Sequence, residues 1–132
     1  MNVNIAAATP GIFTVAQTGV GQAAVVNQDG TVNSTSTAGN FVSVYGTGFG
    51  AYSPVGSDGL RHLANTFTCQ IGNVVCTVTY AGEAPGYTSG LQQINIEIPA
   101  ILDPANLQEP LILTLSQSPV STQAGVTLAL KP

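Results

Sequence analysis

The chain has 132 residues, enough for one domain with a substantial core, yet only 6% of them are charged, against about a quarter in ordinary globular domains. With a net charge of −4 and only Arg61 and Lys131 positive, it has no basic stripe to neutralise phosphates, which excludes nucleic acid and disfavours anionic membrane surfaces. An apolar content of 44% argues against disorder, and no run approaches the roughly 18 apolar residues of a spanning helix, so no membrane insertion is expected.

The opening segment, MNVNIAAATPG, lacks a basic n-region and a long apolar h-region, so it does not read as a signal peptide. It begins as if in mid-strand and reads as the start of a domain cut from a longer precursor. Short strand-like runs then recur between turn signals, with no convincing helical period. The expected strands are Val3–Ala7, Ile12–Ala16, Ala23–Asn27, Phe41–Tyr45, Thr66–Ile71, Val74–Tyr80, Leu91–Ile98, Leu111–Ser116 and Val126–Leu130. The cleanest alternates Ile94, Ile96 and Ile98 against Gln93, Asn95 and Glu97, the period of a half-buried strand. In-phase positions place Phe67, Ile71, Val78, Ile94, Ile96, Ile98, Leu113 and Leu128 inward. Asp103 to Leu107 reads either as one helical turn, capped by Asp103 with Pro104 first, or as a plain loop. Two long loops, Gly30 to Asn40 and Gly46 to Asn65, are functional or mobile by their length.

Cys69 and Cys76 flank a two-residue turn at Gly72-Asn73, which sets them opposite one another on the same apolar face. Two readings are open there: a cross-strand disulfide, or two buried thiols. Without clustered histidines, the cysteines do not make a zinc site. Asn27, Asp29 and Asn33 space oxygen side chains around Gly30 as a calcium loop does, but the terminal bidentate carboxylate is missing. The plainer reading of this stretch is a β-turn.

His62 is the single histidine, beside Arg61 and near Asp58, and no nucleophile-elbow pattern accompanies it. The six carboxylates are scattered and form no evident glycosidase pair. The glycines from Gly46 to Gly50 are not a phosphate loop, since no Lys-Ser/Thr or helix follows. They let the strand end bend while Phe49 packs beneath. Tyr52 and Tyr87, in Gly/Pro-rich loops, are the candidate ligand-binding rings for a sugar platform. Lys131, at the chain end, is poorly placed for an isopeptide crosslink, and Asn33-Ser34-Thr35 is a glycosylation sequon. No cofactor is expected.

One ordered set of segments carries a family resemblance. It comprises Ala8 to Thr14, Gly21 to Ala24, Asn27 to Gly30, Tyr45 to Gly50, Tyr80 to Gly82, Ala84 to Gly86, and Gly90 to Asn95 running on to Pro99. The chain resembles a C-terminal domain family of large secreted proteins from soil bacteria of the Solibacter and acidobacterial type. Its middle also looks like an IPT/TIG immunoglobulin-like domain. Where that family has a Gly-Gly-x-Ala hairpin, this chain has Ile71 to Cys76. The resemblance implies an immunoglobulin-like sandwich at the end of an exported protein, and it supplies no catalytic residues.

The expectation is therefore an all-β, immunoglobulin-like antiparallel β-sandwich of Greek-key type, one domain over residues 1–132. Its expected role is a non-enzymatic structural or adhesive module, secreted or at the cell surface. The expected partners are a protein or glycan there, or copies of itself. One alternative is an assembly subunit pairing through an edge or the N-terminal strand, Val3 to Ala8. Another is a carbohydrate-binding module.

Overall fold

A computed structural model describes residues 10–86, 91–100, 108–116 and 120–131. The Met1–Ala8 segment, Tyr87 and the Asp103–Leu107 turn lie outside the described residues. Among the described residues the regular structure is all β, and no helix is long and apolar enough to cross a membrane.

The strands are β1 (Gly11–Ile12), β2 (Gly21–Gln22), β3 (Val25–Asn27), β4 (Phe41–Thr47), β5 (Phe67–Ile71), β6 (Val74–Glu83), β7 (Gln92–Glu97), β8 (Gln108–Leu115) and β9 (Val126–Ala129). They form one mixed sheet in the order β1-β4-β7-β6-β5-β8-β9-β2, with β3 also paired to β4, and the sheet curls into a half-barrel. The centre is β4 against β7, where Val42 lies opposite Ile96 and Val44 opposite Ile94. All four are at most 1% exposed. Alternation alone sets this register, because a one-residue slip would turn those valines and isoleucines to water.

β5 and β6 meet at the two-residue turn, with Gly72 in the left-handed region at φ 61°. β6 then changes neighbour. Val74 to Cys76 pair with β5, and Thr77 to Glu83 pair with β7 across a bulge between Val78 and Tyr80. Bulges bend a strand and increase its twist, which suits the point where the sheet turns. The buried side chains of both halves, Ile94 and Ile96 with Ile71, Leu113 and Leu128, share one core cluster. Of the eight positions expected inward, Val78 is half-buried at the edge of that cluster and the others are buried.

Two departures from the expected sandwich stand out. Pairing is not purely antiparallel, because β2 runs parallel to β9. The strand expected over Ile12–Ala16 also stops at Ile12, since the chain turns through Gln17 (φ 60°) and Gly19 (φ 82°) to reach β2. The Val15 amide donates to the Gln22 carbonyl at 2.9 Å and the Ala24 amide to the Phe13 carbonyl at 2.8 Å, drawing the two ends of the sheet together.

The glycine-rich strand end is explained by contacts. A Cβ on Gly46 would overlap the Gly11 carbonyl oxygen and crowd the Phe49 ring. Phe49 is 1% exposed and meets Phe67 edge-on at 5.2 Å. The buried Gln92 amide secures the turn: its Oε1 accepts from the Phe49 amide (2.7 Å) and its Nε2 donates to the Gly50 carbonyl (3.0 Å). The following loop is an irregular hairpin rather than a free excursion. Its two arms bond through Ser53 N to His62 O and Ala64 N to Ala51 O. One arm then lies along β6 through Leu63 N to Ala81 O and Glu83 N to Arg61 O.

Candidate binding face

Alternation on β4 places Phe41, Ser43 and Tyr45 on the outer side of the sheet. The register sets them beside Glu97, Asn95 and Gln93 of β7, and sets Tyr80 of β6 beside Asn95. Val26 of β3 lies beside Ser43 on the other flank, with Val32 bridged to it. Phe13 completes the edge, its amide donating to the Tyr45 carbonyl at 2.8 Å. Of the four phenylalanines and four tyrosines, Phe13, Phe41, Tyr45 and Tyr80 therefore share this face. Phe13 is 44% and Phe41 43% exposed, although burial of large rings is ordinarily favourable.

Between the rings lies a preorganised polar array. Ser43 Oγ donates to Asn95 Oδ1 at 2.6 Å, and Gln93 Nε2 donates to the same oxygen at 2.9 Å. Thr79 Oγ1 donates to the Asn95 carbonyl at 3.3 Å. Two shallow clefts flank Val26. One, of about 180 Å³, is bounded by Gln28, Phe41, Ser43, Thr79 and Asn95. The other, of about 320 Å³, is bounded by Phe13, Val32, Asn33, Tyr45 and Leu91. Neither lining contains a charged side chain. A larger hollow of about 540 Å³ adjoins Phe13 beneath the 14–20 turn.

Charge gathers instead at one end of the face, where the 51–64 hairpin meets β6. His62 Nε2 and Asp58 Oδ2 are 2.7 Å apart, and the His62 ring stands edge-on to Tyr80 at 5.0 Å. Arg61 pairs with Glu83 at 3.4 Å, and its guanidinium lies 5.2 Å from the Tyr52 ring centre. The Leu60 amide, followed by His62, holds the Asp58 carboxyl below its usual range. Burial, followed by the Glu83 and Asp58 charges, pushes the Tyr80 phenol up, and its hydroxyl donates to the Glu83 carbonyl at 2.6 Å.

The residues singled out by sequence fall in different places. Tyr52 is half-buried, bridged to Leu63, packed against the core and covered by Arg61, so its ring is not an open platform. Tyr87 lies outside the described residues. Asn27 and Asn33 direct their oxygens inward as structural acceptors: Asn27 Oδ1 from Ser36 Oγ, and Asn33 Oδ1 from the Val25 amide at 2.9 Å. Asp29 Oδ1 accepts from the Thr31 amide and hydroxyl (3.0 and 2.6 Å), which also holds its carboxyl below the usual range. With Gly30 at φ 87°, this stretch closes a hydrogen-bonded turn between Asn27 and Thr31. Among the described residues no group of three or more His, Cys, Asp or Glu is placed to hold a metal ion. Cys69 and Cys76 are directly opposite, joined as a buried disulfide with Cα atoms 5.0 Å apart.

The rings at Phe41 and Tyr45 were not among the candidates, although the alternation Phe41-Ser43-Tyr45 was the signal that could have found them. Comparison with family models, with curated proteins and with solved structures gives no match.

Proposed function

We propose that this chain is a non-catalytic, immunoglobulin-like module of a secreted or cell-surface bacterial protein. It is structural or adhesive, and it makes contact through the outer face of the β3–β4–β7–β6 layer. The observation that carries the reading is the content of that face: exposed rings at Phe13 and Phe41 around an uncharged amide and hydroxyl array. Exposed apolar area of this kind, set among fixed polar groups, is what interaction surfaces present.

The immunoglobulin-like description draws support from the way β6 passes from β5 to β7 around a single core. The non-catalytic description rests on the sequence, where no nucleophile-elbow pattern accompanies His62 and the carboxylates are scattered. Secretion is supported by the disulfide, a bond that persists in oxidising compartments. Membership of the secreted soil-bacterial family belongs to the same proposal. Its shared segments include Gly46, Phe49 and Gln92, which together fasten the strand end to β7.

The test is adhesion. Beads coated with the protein are panned over immobilised cell-wall material, extracellular polysaccharide and matrix protein. Parent beads should be retained on at least one surface, and beads carrying Phe41→Ala with Tyr45→Ala should lose most of that retention. Retention equal to bare beads, or unchanged in the double variant, contradicts the proposal.

A further inference from the structure

We propose that the outer face binds an uncharged polysaccharide, laid along β4 over Phe41 and Tyr45, with Ser43, Gln93 and Asn95 reading its hydroxyls. This rests on the contact face described above and names the class of its ligand.

Three observations select that class. The first is spacing. Phe41 and Tyr45 are four residues apart on one strand, so their rings stand roughly 13 Å apart along its axis, a distance suited to a few linked sugar rings. A pyranose offers an apolar C–H face to an aromatic ring, and two rings in line favour a chain over a single sugar.

The second is the polar content between the rings. Ser43, Gln93 and Asn95 are already hydrogen-bonded to one another, so they are held in place before any ligand arrives. Hydroxyl and amide groups both donate and accept, as sugar hydroxyls do. Preorganisation of such groups lowers the ordering cost of binding.

The third is charge. Both clefts are lined without a charged side chain, and Glu97 stands only at the rim beside Phe41. Along β4, between Phe41 and Tyr45, a polyanion therefore meets no cation, and a polycation meets only the Glu97 carboxylate at the rim. Of the two basic side chains, Arg61 stands at the hairpin end of the face, paired with Glu83, and Lys131 stands near enough to Asp29 for its charge to act there. A protein ligand would ordinarily bring charged groups to the rim, with little here to meet them.

The test is electrophoresis through native gels cast with single soluble polysaccharides: a β-glucan, a xylan, a mannan and dextran as neutral polymers, and alginate as the polyanion. At least one neutral polymer should retard the parent chain, and alginate should not. Phe41→Ala and Tyr45→Ala should each weaken that retardation by about three- to tenfold. Val75→Ala, on the exposed β5–β6 hairpin, should leave it unchanged. Backbone NMR of the parent chain, titrated with oligosaccharides of the retarding polymer, guards against variants that fail to fold. The largest shifts should fall on Phe41 to Tyr45 and Gln93 to Asn95. Failure of every neutral polymer to retard the parent, or shifts confined to another surface, overturns the proposal. If adhesion to matrix protein falls in the double variant while no polysaccharide retards the parent, the contact face stands and the glycan is wrong.

Discussion

At the scale of single residues, the account rests on which side of the sheet each side chain occupies. Ile96 is fully buried opposite Val42 and Val78. Ile96→Asp should cost about 3–5 kcal/mol, because the carboxylate would enter a core with no partner for it. Urea titration of the variant checks this, and near-parent stability would show the alternation to be misassigned. Asp58 gives a second test. Its folded-state pKa lies below the usual carboxylate value, first through the Leu60 amide and then through His62. A depressed carboxylate contributes stability above its unfolded value and loses it as pH falls through the folded value. An NMR titration should place the Asp58 midpoint below 3.8, with the Leu60 amide shift moving in step. A midpoint at or above 3.8 would mean that the turn from Gly56 to Leu60 is not held this way.

At the scale of elements, the β5–β6 hairpin carries the disulfide. Closing so short a loop adds about 2–3 kcal/mol in the chain-entropy model. Cys69→Ala with Cys76→Ala should lose about that much and keep the strands, seen as a lower Tm with an unchanged circular dichroism spectrum. Loss of all β signal would instead make the bond a condition of folding. Much at this scale was legible in sequence. Isoleucines at period two on β7 and the Gly72-Asn73 turn are local signals, and the strand and the hairpin they marked are both present. β2 was not legible. Gly21 and Gln22 carry no pattern of their own, and their partner, β9, lies over a hundred positions away in the chain. The loop that joins β4 to β5 was legible only as a loop. Its attachment to β6 comes from backbone bonds such as Leu63 N to Ala81 O, which no side-chain pattern announces.

At the scale of the whole molecule, the all-β class followed from turn spacing and alternation, while the curl and the parallel pairing of β2 with β9 follow from long-range closure. The contact face was hidden for a similar reason. Phe13, Phe41, Tyr45 and Tyr80 are scattered in sequence and become neighbours only through the register of β4, β6 and β7. Attention to loop rings led to Tyr52, which the fold uses as packing beneath Arg61. The central claim is that the outer face of β3, β4, β7 and β6 makes the contact. Hydroxyl-radical footprinting of the parent chain, free and bound to a surface that retains it, reads this directly. The account predicts that Phe13, Phe41 and Tyr45 lose reactivity on binding while Val75 keeps it. Protection of Val75 with Phe41 and Tyr45 unchanged would contradict it.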